Sequence, residues 1–246
     1  MNHPPPDIIT IDGPASSGKS TVAKRCAQKI SYAWISTGKL YRLCGVLARK
    51  RQIITSTHTL AKDAEYTLSA LATELQQKVR FAYKNNTHIL TLNGKDVSSQ
   101  ILSEEAGSYA ALLGKNHSFR KALLPWQQHL ARFTSPRGVI FDGRDMGTVV
   151  FKDLATVKFY LTASPHIRAQ RRWQDLHPHR KPSPAEIKHL TTQLQNRDTL
   201  DYQRDIAPLK PAQDALICDT SHMTQQEVID WVSERIPKRP ISSLYG

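Results

Sequence analysis

Near the amino terminus, a glycine-rich segment has the residue types and spacing of a phosphate-binding loop. Residues 13–20 read GPASSGKS and fit the pattern G-x-x-x-x-G-K-[ST], between a strand-like run and a helix-like run. Backbone N–H groups of such a loop point at phosphate oxygens. We therefore expect Lys19 to reach the β- and γ-phosphates of a nucleotide and Ser20 to ligate Mg²⁺. The predicted nucleotide site contains Gly13, Pro14, Ala15, Ser16, Ser17, Gly18, Lys19, Ser20 and Thr21.

Three ionisable residues that follow a buried-type strand form a second candidate. The apolar run 138–141 leads directly into Asp142, Gly143, Arg144 and Asp145. Phosphate-loop enzymes often place an acidic residue there to position Mg²⁺, so Asp142 is the candidate for that role, and the alternative is a capping or turn aspartate. Beside a nucleotide, Arg144 would grip a phosphate through two N–H groups, whereas a surface ion pair with Asp145 would contribute little.

A charged stripe is predicted on the helix that ends near residue 205. Arg197, Asp201 and Arg204 are spaced i, i+4 and i+7, which places them within about 60° of arc. Two cations around one anion suit a clamp for a phosphate and a sugar hydroxyl. The spacing suits a solvated, salt-bridged helix face equally well, and the parallel acidic pair Asp198 and Asp205 favours that interpretation.

Five further cations are candidates for a cover over the site. They are Arg168, Arg171 and Arg172 on a predicted helix, and Arg180 and Lys181 in the proline-punctuated loop that follows it. A closing set of arginines would neutralise phosphate charge and exclude the water that hydrolyses a phosphoryl donor. The alternative is an ordinary basic helix exposed to solvent.

Composition limits the class of protein. The net charge of +13 is typical of proteins that meet polyanions, which leaves two classes open: an enzyme that brings two anionic nucleotides together, and an ATPase that binds nucleic acid. The three cysteines lie far apart without metal-ligand spacing, so we expect a reducing, cytoplasmic environment. No apolar run is long enough for a membrane span.

The elements that would position these residues alternate between strands and helices. Two strand–turn–helix units within the first fifty residues indicate an α/β fold with a parallel sheet, whose ligand lies beyond the carboxyl ends of the strands. Alternating apolar residues on either side of Asn85 and Asn86 predict an antiparallel hairpin outside that sheet. Further predictions are helices at 58–80, at 104–133 with a kink at Pro125, from Pro165, from the loop 177–184 to about Asp205 and at 224–236, strands at 138–141, 157–161 and 215–219, and a loose tail at 237–246.

Six segments, in order along the chain, resemble the bacterial cytidylate kinases of the nucleoside monophosphate kinase family. They are ITIDGPASSGKST (9–21), STGKLYR (36–42), NGKDVSSQI (93–101), VIFDGRDMGTVVFKD (139–153), NRDTLDYQRDIAPLKPAQDA (196–215) and CDTS (218–221). The fourth and fifth segments are far more specific than the phosphate loop alone.

This resemblance implies a P-loop NTPase fold and ATP-dependent phosphorylation of CMP and dCMP with Mg²⁺. It implies a single kinase domain over residues 1–246, in which a parallel β-sheet core flanked by helices carries an inserted NMP-binding lobe, with the antiparallel hairpin, and a helical lid. The expected sub-regions are the core at 7–36, 138–165 and 206–236, the lobe at about 37–105, the lid at about 168–185 and the tail at 237–246.

The resemblance also implies a role for each matched residue. The CMP phosphate would be held by Arg42, Arg144 and Arg204, the ribose by Arg197 and Asp201, and the cytosine edge by Asp145 and Arg120, with Thr37 as a further CMP contact. Arg168 and Arg171 would join the phosphate loop in binding ATP. The expected catalytic residues are Lys19, Arg144, Arg171 and Arg204, and the expected metal ligands are Ser20 and Asp142.

Five departures from the family's pattern bear on the substrate. Ser36 stands in place of an aspartate, Lys39 of an alanine, Leu102 and Gln128 of arginines, and Ala111 of a serine that would contact cytosine. Because an apolar contact discriminates between bases only weakly, we expect looser pyrimidine selectivity, with some turnover of UMP.

Three other interpretations remain open on the sequence. Another small phosphate-loop kinase would act on UMP, another monophosphate or shikimate, although the Arg–Asp–Arg stripe argues against a sugar acid. A nucleic-acid-binding ATPase would explain the net charge, and a binding-only relative would explain the departures. The cytidylate kinase interpretation is preferred over these three. It predicts a monomer that binds ATP and CMP or dCMP, without a membrane or nucleic-acid partner.

Overall fold

The structure is a computed structural model that describes residues 6–57, 59–84, 87–133 and 137–237. The chain divides into two compact units, the first combining residues 1–33 with 137–246 and the second comprising residues 34–136. The turn predicted at residues 85–86 lies outside the described residues, as does the predicted tail apart from Pro237. No helix within the described ranges is long and apolar enough to cross a membrane.

Strands and helices are distributed over the whole described chain. The strands are β1 (Asp7–Asp12), β2 (Ala33–Ser36), β3 (Ile54–Ser56), β4 (Thr59–Leu60), β5 (Val79–Lys84), β6 (Thr87–Leu92), β7 (Lys95–Asp96), β8 (Gly138–Gly143), β9 (Val157–Thr162) and β10 (Leu216–Asp219). The α-helices are α1 (Lys19–Ile30), α2 (Thr37–Lys50), α3 (Ala64–Lys78), α4 (Glu104–Gly114), α5 (His117–Phe133), α6 (Pro165–Leu176), α7 (Pro184–Tyr202) and α8 (Gln225–Glu234), with a 3₁₀ turn at Ser98–Ile101 and a π-helical turn at Met146–Val150.

A parallel sheet forms the centre of the first unit. β10, β9, β1 and β8 lie side by side in that order, and β1 pairs in parallel with both β8 and β9. β1, β8 and β9 are buried along nearly their whole length, as expected for a sheet covered on both faces. The register pairs Asp12 with Gly143 and with Tyr160, so three carboxyl ends lie at one edge. The predicted α/β fold with a parallel sheet is confirmed.

The helices of the first unit begin where the sequence supplies capping residues. Ser164 caps α6, and Ser183 and Thr224 form capping boxes with Glu186 and Glu227 at the starts of α7 and α8. α6 packs against α7, and α1 packs against α8. The apolar cluster around the α6–α7 contact contains Ala15, Ala169, Trp173, Ile187 and Leu194.

The second unit has its own apolar core and a small antiparallel sheet. The predicted hairpin is confirmed as β5 paired with β6, and β6 also pairs with β7 across Asn93 and Gly94. Both turn residues have positive φ angles, 49° and 78°, as a tight two-residue hairpin requires. α2 packs closely on α4, since a Cβ at Gly45 would lie 2.6 Å from the Cβ of Tyr109.

The helix predicted over residues 58–80 is wrong at both ends. β3 and β4 first form an antiparallel pair that joins Ile54 to Leu60, α3 begins only at Ala64, and β5 begins at Val79. The preceding segment TSTHT is rich in β-branched threonine, which suits an extended chain better than a helix.

The single helix predicted over residues 104–133 is two helices. α4 ends before Lys115, and the side chain of Asn116 accepts a hydrogen bond of 2.8 Å from the backbone N–H of Phe119 in the first turn of α5. An asparagine that bonds the backbone in this way starts a helix, so it separates two runs of similar composition. Pro125 lies inside α5.

Candidate active site

The phosphate loop connects β1 to α1, as predicted. Gly13, Ser16 and Gly18 have positive φ angles of 152°, 59° and 87°, which curl the backbone. Among the described residues, no side chain caps α1 at Gly18, and its first turn contains no acidic residue. The amino-terminal N–H groups and the positive end of the helix dipole therefore suit an anion.

Gly13 fixes where the loop begins. A Cβ at this position would lie 2.0 Å from the carbonyl oxygen of Leu161 in β9, a contact that no side chain tolerates. The loop backbone is therefore seated directly against the neighbouring strand, which explains the glycine at the first position of the pattern.

Lys19 is buried and turned back over the loop. Its Nζ donates a hydrogen bond of 2.7 Å to the carbonyl oxygen of Pro14. Burial lowers the pKa of Lys19 well below its usual value, and the guanidinium of Arg144 adds to that effect. Because both influences disfavour a cation, an anionic phosphate would supply the counter-charge that this ammonium needs.

Ser20 and Asp142 form an oxygen pair at the sheet edge. The Ser20 hydroxyl donates a hydrogen bond of 2.6 Å to Oδ2 of Asp142, which joins the first turn of α1 to the end of β8. Hydroxyl and carboxylate oxygens are ligands that suit Mg²⁺. The side chains present therefore fit the predicted metal site.

Arg144 contacts the end of α7. Its Nε donates a hydrogen bond of 3.1 Å to Oδ2 of Asp201, and Arg204 Nε lies 3.9 Å from Oδ1 of the same carboxylate. Burial raises the pKa of Asp201, but the guanidinium groups of Arg144, Arg204 and Arg197 outweigh burial, so this pKa lies below its usual value. Asp201 is thus an anion within a group of cations.

The predicted end of α7 near residue 205 is wrong. The helix ends at Tyr202, so Arg204 does not continue the helical stripe of Arg197 and Asp201. In a continuing helix the Asp201 carbonyl would accept from residue 205, but here it accepts from the N–H of Leu209 at 2.9 Å and from Arg204 Nε at 3.3 Å. Arg204 reaches Asp201 by folding back rather than by helical spacing.

Arg168, predicted as part of a cover, is buried in the structure. Its side chain is 3% exposed, and it donates from Nε to the carbonyl of Ala163, from Nη1 to the carbonyl of Ala15, and from Nη2 to the carboxylate of Asp198. Asp198 is also buried, so this side of α7 is not the solvated face proposed as the alternative. Arg168 joins the phosphate loop to α6 and α7 from inside the protein.

The other cations of the predicted cover differ in their surroundings. Arg171 donates to the hydroxyl and carbonyl oxygens of Thr220, at 2.8 and 2.7 Å, and burial lowers its pKa. Its Nη1 would lie 3.9 Å from a Cβ at Gly18, so it borders the phosphate loop. Arg180 stacks on the ring of Trp173 at 4.3 Å. Arg172 is half-buried and Lys181 is exposed.

In the second unit, Arg42 and Arg120 are each held by hydrogen bonds. Arg42 Nη1 donates to the carbonyls of Ile101 and Ser103, at 3.1 and 2.8 Å. Arg120 is buried and donates from Nη1 to the Tyr41 hydroxyl at 3.2 Å. Leu102, between the two carbonyls that bind Arg42, is 71% exposed. Thr37, the first residue of α2, is buried.

Replacing Gly107 with alanine is expected to disturb Arg42 without weakening the fold. The new Cβ would lie 3.0 Å from Arg42 Nη2, so the guanidinium must shift. Alanine inside α4 should raise the free energy of unfolding by about 0.5–1 kcal/mol, while KM for CMP, the acceptor that the resemblance implies, should rise about threefold to tenfold. Urea unfolding and steady-state kinetics measure both quantities. An unchanged KM would contradict a role for Arg42 in binding CMP.

Asp12 was not among the predicted site residues. This buried carboxylate accepts hydrogen bonds from the backbone N–H groups of Met146, at 3.0 Å, and Gly147, at 2.7 Å. An acidic residue that ends an apolar strand directly before the phosphate loop was the available signal. Burial raises its pKa to about 7, the nearby Asp145 adds to the rise, and the two N–H groups oppose it.

Comparisons with known proteins identify the family that the chain resembles along its length. The family model described as cytidylate kinase matches residues 9–238. Curated cytidylate kinases are similar over most of their length: that of Fervidobacterium nodosum is 36% identical, over 94% of this chain and 96% of the relative. That of Yersinia enterocolitica is 39% identical, over 91% and 90%. A solved shikimate kinase from Bacteroides thetaiotaomicron is 12% identical, over 93% and 97%, with a TM-score of 0.43.

Proposed function

Because this chain belongs to the cytidylate kinase family, we propose that its buried cations and phosphate loop perform phosphoryl transfer by alignment and charge neutralisation. The enzyme transfers the terminal phosphoryl group of ATP to CMP or dCMP. The observation that carries the mechanism is the uncapped start of α1, with the Ser20–Asp142 pair beside it.

On the donor side, the loop backbone and Lys19 bind the phosphates of ATP, and Arg171 approaches them from α6. Ser20 and Asp142 are the residues that would hold Mg²⁺, which supplies positive charge to the donor phosphates when it is bound. Arg168 is not proposed as a phosphate ligand, since its nitrogens donate to Ala15, Ala163 and Asp198.

On the acceptor side, Arg144 and Arg204 bind the CMP phosphate, and Arg197 and Asp201 bind the ribose. Asp145 reads the cytosine. The second unit holds the remaining residues that the family resemblance assigns to CMP, namely Arg42, Arg120 and Thr37. The CMP phosphate is already an anionic nucleophile, so no strong general base is required. Catalysis comes from orientation and from cations that stabilise the charge of the transferring group.

A coupled assay of ADP release tests this proposal. The purified protein is given ATP and Mg²⁺ with CMP, dCMP, UMP, AMP, GMP or shikimate in parallel. We expect turnover with CMP and dCMP and none with shikimate. If no acceptor supports ADP release, and RNA or DNA stimulates ATP hydrolysis, the result would instead support the nucleic-acid-binding ATPase.

We further propose that UMP is phosphorylated at a measurable rate. Ala111, half-buried in α4, offers no hydroxyl to a base, and an apolar contact discriminates by only about 10–200-fold. The Ala111→Ser variant should lower kcat/KM for UMP relative to CMP. Undetectable UMP phosphorylation at saturating UMP would contradict this expectation.

We also propose that the protein is a monomer and that it lies in the cytoplasm. Cys26, Cys44 and Cys218 are free thiols and all are buried, which suits a reducing compartment. Light scattering coupled to size-exclusion chromatography should give the mass of one chain.

A further inference from the structure

Asp12 has an unusual setting for a carboxylate. It ends β1, it is 4% exposed, and its two oxygens accept from two consecutive backbone N–H groups, those of Met146 and Gly147. Burying an ionised carboxylate is unfavourable unless its partners compensate. An apolar residue would fill the same space without that cost, so the position of this carboxylate requires an explanation beyond packing.

The two N–H groups belong to the start of the π-helical turn Met146–Val150. This turn directly follows Arg144 and Asp145, and the carbonyl of Asp145 accepts from the N–H groups of Val149 and Val150, at 3.0 and 3.1 Å. A carboxylate that binds the first N–H groups of the turn therefore fixes the backbone immediately after these two residues. π-helical turns are rare and often lie at functional sites.

Gly147 seats the same turn against the sheet. A Cβ there would lie 2.9 Å from the Thr10 hydroxyl in β1 and 3.2 Å from Cδ of Lys158 in β9. The turn is thus held twice, by close backbone approach at Gly147 and by the hydrogen bonds of Asp12. In the sequence, Asp12 directly precedes Gly13, which begins the phosphate loop.

We propose that Asp12 is a positioning residue for the acceptor: by holding the backbone of Met146 and Gly147, it orients Arg144 and Asp145 to bind CMP. This inference rests on the proposed function of those two residues. Asp12 contacts neither nucleotide, and it acts through the turn. One carboxylate therefore joins the end of the strand that carries the donor loop to the segment that binds the acceptor.

The Asp12→Asn variant tests the proposal. Asparagine keeps the shape but offers one acceptor oxygen, so its NH₂ opposes one of the two backbone N–H groups. We expect KM for CMP and the Kd for CMP, measured by calorimetry, to rise about tenfold, with KM for ATP changed less than about twofold. A purely structural role would not separate the two substrates.

Asp7→Asn is the matched control. Asp7 lies at the opposite end of β1, is 2% exposed, and accepts from the Tyr32 hydroxyl at 2.7 Å and the Thr156 hydroxyl at 3.2 Å. Its variant should keep the wild-type KM for both substrates. If Asp12→Asn does not fold, Gly147→Ala displaces the same turn with Asp12 intact, and it should show the same loss confined to CMP.

The possible outcomes distinguish the proposed function from the positioning role of Asp12. Wild-type protein that binds CMP and forms CDP supports the proposed function, and wild-type protein that does neither overturns the function itself. With an active wild type, a folded Asp12→Asn variant with unchanged KM for CMP overturns the inference. Equal increases in KM for CMP and ATP would overturn it too.

Discussion

Replacing Lys19 with alanine should lower kcat by about 10²–10³-fold, by analogy with the loss of one preorganised donor from an active site. Lys19 is buried at the start of α1, and the Pro14 carbonyl holds its ammonium over the loop at 2.7 Å. This cation is already in place before the reaction, so no reorganisation is needed as charge develops on the transferring group. Removing it leaves the helix N-terminus and the arginines to stabilise that charge.

Lys24 is the matched control. It is a half-buried lysine on the same helix, α1, but it lies outside the phosphate loop of residues 13–20. Lys24→Ala should retain wild-type kcat. Circular dichroism and urea unfolding establish that both variants are folded. A folded Lys19→Ala protein with near-normal kcat would contradict the assigned role.

Replacing Arg168 with methionine should lower the free energy of unfolding by about 3–5 kcal/mol, because the carboxylate of Asp198 would stay buried without its cation. The pair lies between α6 and α7, with both side chains under one-tenth exposed. Asp198→Asn should also be destabilising, because it leaves the buried guanidinium of Arg168 without its anion. Urea unfolding measures both variants.

The double variant Arg168→Met, Asp198→Leu separates stability from function. Removing both charges together should recover most of the lost free energy of unfolding, since apolar pairs often replace buried ion pairs at little cost. Activity should not recover, because the hydrogen bond from Arg168 to the Ala15 carbonyl of the phosphate loop is still missing. Single variants as stable as wild type, or a fully active double variant, would contradict this account.

Local signals allowed the sequence to predict the sheet and the phosphate loop. The glycines at 13 and 18, the lysine and the flanking apolar runs all act within twenty residues, and strand β1 and helix α1 lie where expected. The hairpin of β5 and β6 was likewise predicted from the alternation of apolar residues. Such features depend on neighbours in the chain, so composition and spacing suffice.

The features that were missed depend on distant partners. Arg168 resembles any exposed helical arginine until Ala15 and Asp198, far away in the sequence, surround it. At the end of α7, the Asp201 carbonyl accepts a hydrogen bond from the N–H of Leu209, a residue outside the helix. Asp12 likewise meets the N–H of Met146 only when β1 and β8 pair. No spacing rule within one segment reports such contacts.

The transfer of a labelled phosphoryl group tests the central claim most directly. The protein is incubated with Mg²⁺, CMP and ATP labelled at the γ-phosphate, and the nucleotides are separated by chromatography. We predict that the label appears in CDP, at a rate that Lys19→Ala lowers. Label found only in inorganic phosphate, with CMP unchanged, would contradict the assignment of this chain as a CMP kinase.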